Sequence, residues 1–146
     1  MNRIATHAVT AALASLVTYA FLVPDSLWTS AHAQAQPAGV KQTELFKTTM
    51  NDVMGRVFSV RVLERDPGTG SAAHRHPGSH TVGYILEGSY EVKIDDGPVK
   101  KLGPGETFYE APNALHAVSR NASKTAPVKY LVIQVSDPTK PATVPE

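Results

Sequence analysis

Residues 68–88 read GTGSAAHRHPGSHTVGYILEG, and two histidines set two apart dominate this stretch. On an extended strand, residues i and i+2 project to the same face with Cα atoms roughly 6.6 Å apart. Two imidazoles at that spacing, His74 and His76, can share one cation at the roughly 2.0–2.1 Å typical of zinc. Pro77-Gly78 then turns the chain, and residues 82–86 (VGYIL) read as a strand closed by Glu87-Gly88. A third ligand from a distant strand, such as His116, would complete the site through folding. Surface histidines in a Pro-Gly turn are the alternative reading, and it suits a lone His better than an HxH pair.

Working outward, the same alternation of short apolar runs and turns continues. Residues 57–63 (VFSVRVL) form a strand rich in β-branched residues that stops at Asp66-Pro67-Gly68. Residues 90–94 (YEVKI) alternate apolar and charged, and Asp95-Asp96-Gly97 supplies a hairpin turn. Residues 107–109 and 128–135 (VKYLVIQV) are further strands. No window between residues 42 and 135 holds an i, i+3, i+4, i+7 apolar pattern; the best helical candidate is the short stretch around Met50 and Met54. About eight short strands with Gly/Pro turns predict an all-β antiparallel sandwich or small barrel. Asn121-Ala122-Ser123 matches a glycosylation acceptor, but so short a match reads first as a loop.

The N-terminus has Arg3, an apolar run from Ala8 to Val23, and the small-x-small site Ala31-His32-Ala33. This is the layout of a secretory signal peptide, and the run falls short of the roughly 20 residues that span a bilayer. The expected organisation is a signal peptide at 1–33, cleaved on export to a periplasmic or secreted location. A flexible leader at 34–42, a folded domain at 43–136 and a Pro-rich, disordered tail at 137–146 follow. The 146 residues carry a net charge of +1 and no cysteine. Disulfides, thiol nucleophiles and iron–sulfur clusters are therefore excluded, and no basic block suggests nucleic acid. No membrane association is expected after cleavage.

Around the histidines, Gly68, five residues, His74-Arg75-His76, four residues, Thr81, six residues and Gly88 reproduce the spacing of the first motif of the cupin superfamily. Gly105 and His116 stand at the separation of its second motif. The chain departs from the family at Thr81, which stands where cupins place a glutamate ligand, and at Ala111 and Asn113, which stand at the Pro and Gly positions of the second motif. The sequence resembles cupins over roughly residues 42–136. That resemblance implies a single cupin-type jelly-roll β-barrel with a metal inside, held by histidines from both motifs, and a homodimer paired through strand edges.

Two arguments disagree on the fourth ligand. Period-2 parity groups His80 with Val82, Tyr84 and Leu86, the more apolar set, and so turns His80 inward. The family alignment turns Thr81 inward. The patterning gives His74, His76, His80 and His116 as the ligand set, holding one divalent transition metal (Fe, Mn, Ni, Cu or Zn). Either choice leaves a shell without a carboxylate, which keeps the ion's full charge available to an anionic ligand. Glu110 ends a strand and could act as an acid/base or reach the metal, but it reads first as a solvated strand-end carboxylate, since carboxylates are mostly exposed. Tyr84, Phe108 and Tyr109 read as core before pocket. By family analogy the expected function is that of an exported, dioxygenase-like enzyme acting on a small enolic or phenolic molecule. A non-catalytic small-molecule or metal binding module, and a metal-dependent isomerase or lyase that needs a nearby acid/base, are the alternatives.

Overall fold

A computed structural model describes residues 38–53 and 55–146. The expected signal peptide, the first part of the leader (34–37) and Met54 lie outside the described residues. Eleven strands follow in chain order: β1 (Val40–Thr49), β2 (Val57–Arg65), β3 (Gly70–Ser71), β4 (His74–Arg75), β5 (Ser79–Glu87) and β6 (Tyr90–Ile94), then β7 (Lys100–Leu102), β8 (Thr107–Glu110), β9 (Leu115–Asn121), β10 (Val128–Ser136) and β11 (Val144–Pro145). There is no helix among the described residues, and residues 51–53 form a bend where the sequence offered its best helical candidate.

The strands build two antiparallel sheets, one ordered β1-β2-β10-β5-β8 and the other β11-β4-β9-β6-β7, with β3 paired to β9. This is the expected all-β, jelly-roll arrangement. The strands read from sequence recur within two residues of their expected ends in β2, β6, β8 and β10, whereas β5 begins three residues earlier, at Ser79. Both sheets feed one core of Ile85, Tyr90, Val92, Leu102, Phe108, Val128, Tyr130 and Val132. Tyr90 stacks on Phe108 at 5.5 Å between ring centroids and lies 4.8 Å from Tyr130. Such aromatic pairs contribute about 0.5–1.5 kcal/mol each beyond burial.

Two expectations about the chain ends are corrected. Strand β1 starts at Val40, inside the expected leader, because its backbone pairs with β2 from Val40↔Arg65 to Thr49↔Val57. The tail is also ordered. The Asp137 amide donates to Gly78 O at 2.8 Å, β11 pairs with β4 through Val144↔Arg75 and Pro145↔His74, and the Glu146 amide donates to Ala73 O. Prolines lower strand propensity, but Pro145 sits on an edge strand, where a missing donor is tolerated. Asn121 is buried, and its side-chain amide donates to the carbonyls of Arg65, Asp66 and Ala126. It is a structural tie rather than a glycan acceptor.

The inward face of β5 is Ser79, Thr81, Gly83 and Ile85. The volume missing at Gly83 is filled from β8, since a Cβ on Gly83 would come within 2.0 Å of the Phe108 ring. Gly83→Ala should therefore overpack this wall and destabilise the fold by about 1–3 kcal/mol in urea unfolding. Pairing it with Phe108→Leu should recover part of that loss.

Candidate metal centre

Pairing of β4 with β9 sets His74 directly opposite His116, with Arg75 opposite Leu115. The His74 ring lies 5.0 Å from that of His116 and 5.0 Å from that of His76. Strand β9 is bulged here: Ile94 faces His116, while Lys93 faces Val118, so Ala117 is the extra residue. The bulge re-aims the strand and lets both His116 and Ser119 point inward, where both are buried. Just before β9, Asn113 adopts φ +65°. It thus takes the left-handed conformation that the family's motif assigns to Gly, which Asn tolerates better than most residues.

The four histidines do not form one cluster. His80 projects outward, where its ring stacks on Tyr109 and its Nδ1 lies 2.7 Å from the Tyr109 hydroxyl. Thr81 is the inward residue. Parity failed here because the interior at this level is a polar cavity, so the more apolar face of β5 does not mark the inside. Glu110 corrects the other expectation. It is 2% exposed and stands opposite Thr81 in the β5–β8 register. Its Oε1 lies 3.1 Å from His116 Nδ1 and its Oε2 3.9 Å from His76 Nε2. The carboxylate missing at position 81 is thus present one strand over, on the same rung. Nothing in the local sequence around Glu110 signals burial; only the cross-strand register does.

Hydrogen bonding fixes two of the rings. His74 Nδ1 lies 2.8 Å from Ala72 O, and His76 Nδ1 lies 2.5 Å from Ala142 O in the C-terminal segment. A carbonyl only accepts, so each Nδ1 carries its proton and each neutral ring presents a bare Nε2, the arrangement that outer hydrogen bonds impose on metal-binding histidines. Burial, reinforced by His116 and His76, holds the His74 ring below its ordinary pKa of 6.5 against the opposing Ala72 bond and Glu110. Among the described residues, no three His, Asp or Glu side chains are already gathered closely enough to hold an ion. The donor set nevertheless fits one. His116 Nε2 and Glu110 Oε2 are buried without a hydrogen-bond partner, and burying such atoms unsatisfied is costly.

The cavity at this site, about 620 Å³, runs between the two sheets from the histidines past Tyr90 and Tyr130 to Arg61 and Arg65. The sequence reading passed over both arginines. Their signal lies in the parity of β2, where Ser59, Arg61, Leu63 and Arg65 share a face with the apolar core. Arg61 donates to Gln134 Oε1, and Gln134 Nε2 donates to Thr81 Oγ1 at 2.9 Å. Arg65 donates from Nη2 to Ser71 Oγ at 2.9 Å and to the Tyr130 hydroxyl at 3.5 Å. Burial depresses the Arg61 pKa, with Glu44 and Tyr130 opposing the shift.

Residues 61–134 match the family model described as Cupin domain. No curated protein matches the chain. Among solved structures, an uncharacterised protein with a double-stranded β-helix domain from Klebsiella pneumoniae subsp. pneumoniae MGH 78578 is similar at 18% identity and TM-score 0.57, over 73% of this chain and 84% of that one. Oxalate oxidase in complex with glycolate is similar at 23% identity and TM-score 0.57, over 76% of this chain and 57% of that one. DMSP lyase DddQ from Ruegeria pomeroyi DSS-3 is similar at 24% identity and TM-score 0.52, over 60% of this chain and 42% of that one. At these identities the likeness is one of fold.

The lowered His74 pKa has a consequence for the metal-free protein. Below about pH 6.5 the unfolded chain takes up a proton that the buried ring refuses. Stability should therefore hold above that pH and fall as pH drops from there towards the folded-state pKa. Urea unfolding of chelator-treated protein on either side of about pH 6.5 checks this, and His74→Asn should flatten the slope.

Proposed function

The chain belongs to the cupin domain family, and from that premise we propose that it is a metal-dependent enzyme in which His74, His76 and His116 hold a divalent transition metal and Glu110 serves as the carboxylate beside it. The observation that carries this reading is the buried Glu110 carboxylate with one unpartnered oxygen, set against His116 and His76. Held by these residues, a bound ion would supply Lewis-acid chemistry at an oxygen of the substrate. Glu110 is then the group positioned to move a proton, since among the described residues no other carboxylate lines the cavity. Phe108, Tyr90 and Val132 supply apolar walls that limit water. Proton transfer at a small oxygenated substrate, as in an isomerase or lyase, follows from this arrangement.

A second reading, oxygen chemistry on an enolic or phenolic substrate, is favoured by the imidazole-rich centre, which suits iron and copper, and by the oxalate oxidase among the fold neighbours. The two readings separate under anaerobic conditions, where only the proton-transfer enzyme turns over. The leader-like sequence of residues 1–33 supports export, and sequencing of the exported protein should find Gln34 first.

Elemental analysis tests the centre itself. The purified protein should carry one divalent ion per chain, lost in His116→Ala and retained in His80→Ala. Glu110→Gln should weaken metal affinity by about 10–100-fold, the usual cost of removing a carboxylate from or next to a ligand set. Retention of the ion in His116→Ala would sink this assignment.

A further inference from the structure

The cavity carries a second group of buried charge remote from the histidines. Arg65 is 3% exposed, yet its Nε and Nη1, together with Arg61 Nε, are buried with no hydrogen-bond partner. Among the described residues, no carboxylate stands within ion-pairing distance of either guanidinium. Glu44 faces Arg61 across the β1–β2 register and acts on it only through the field. A buried guanidinium left unpaired is disfavoured by the fold itself, so its retention inside a ligand-sized cavity calls for an anion that arrives from outside.

We propose that Arg65 and Arg61 form a carboxylate-binding pole, which takes one end of a small organic acid lying along the cavity towards His74 and His116. Three observations select a carboxylate. The guanidinium is a planar donor fork suited to a planar anion. The three unpartnered nitrogens carry four N–H donors, which match the four lone-pair positions of a carboxylate and fall short of what a phosphate demands. The walls between the poles, Leu63, Val132, Tyr90 and Tyr130, are apolar or aromatic and suit a carbon chain.

The span is also set by the fold. Ser71, which receives Arg65 Nη2, faces Ser119 on β9, and three residues later His74 faces His116 on the same strand. That separation is at most roughly 10 Å at the rise of a strand. An acid with a second oxygen function a few bonds from its carboxylate bridges the two ends. The carboxylate site stands on the guanidinium groups alone; only the direction of the ligand's far end rests on the metal reading above.

Calorimetric titration of chelator-treated protein with succinate, at fixed ionic strength, tests the proposal. Succinamide serves as the uncharged isostere and inorganic phosphate as the competing anion. Succinate should bind saturably and succinamide should not. Arg65→Met should weaken succinate binding by about tenfold or more, the cost of losing charged hydrogen bonds, and Arg65→Lys by less, since it keeps the charge and loses the fork. Metal content should be unchanged in both. Arg61→Met should give a smaller loss of the same kind, and it carries the test if Arg65→Met does not fold. Unaltered succinate binding in the arginine variants, or binding only after metal is restored, would overturn the proposal. Phosphate binding tighter than succinate would overturn the choice of carboxylate. A metal-free protein that still binds succinate would leave this inference standing whatever becomes of the metal centre.

Discussion

Two rungs of backbone pairing, His74↔His116 and Arg75↔Leu115, hold the site together. They join a strand of only two residues to the bulged strand β9, and the three inward histidines take their positions from that junction. The i, i+2 rule places His76 on the same side as His74. The bulge at Ala117 turns His116 and Ser119 to one interior. The C-terminal segment adds β11 to the outer edge of β4, so that Ala142 O is available to fix the His76 tautomer. Arg75, pointing out between the two histidines, meets Glu146 through Nε at 2.7 Å and Nη2 at 3.1 Å, and reaches Asn113 O through Nη1. The residue between the two inward imidazoles thus ties their strand to the tail on one side and to the β8–β9 connection on the other.

The interior keeps its charges apart. Glu110 lies at one end of the cavity and the guanidinium groups of Arg61 and Arg65 line it further along. Tyr90 stands between them, its hydroxyl 2.6 Å from Ser119 Oγ and its pKa pushed well up by burial, so it stays an uncharged hydrogen-bonding wall. Had the arginines reached Glu110, the charges would have neutralised one another and left neither able to meet a ligand. Arg61 reaches the rung of Glu110 only through the uncharged Gln134 and Thr81, so both ends keep unspent capacity.

The fold was legible because its signals are local. Turns at Asp66-Pro67-Gly68 and Asp95-Asp96-Gly97, β-branched runs, and the His-x-His spacing each depend on a few neighbouring residues. What escaped depends on pairing between distant strands. The burial of Glu110 follows from facing Thr81 across β5–β8. The inward turn of Thr81 over His80 follows from a glycine that Phe108 fills from the next strand. Arg61 and Arg65 look like ordinary strand charges until β2 is seen to line a cavity. Hydrophobic parity finds the inside of a dry core, and it misleads where the inside is built to hold something polar.

The departure at position 81 has a physical explanation in the same register. Directly opposed residues on antiparallel strands bring their Cβ atoms to about 4.5–5.5 Å. A glutamate at 81 beside Glu110 would place two carboxylates together in a buried site, and one would be forced to keep its proton. The two positions therefore exclude each other as charged groups, and Thr81 is the uncharged partner that Glu110 requires. Its hydroxyl is not idle, because it accepts from Gln134 Nε2 while Gln134 Oε1 accepts from Arg61. A chain of hydrogen bonds thus runs from the rung of the carboxylate to the first of the guanidinium groups. With its carboxylate on β8, the chain keeps an acid at the histidines and leaves position 81 on β5 for the polar link to Gln134 and Arg61.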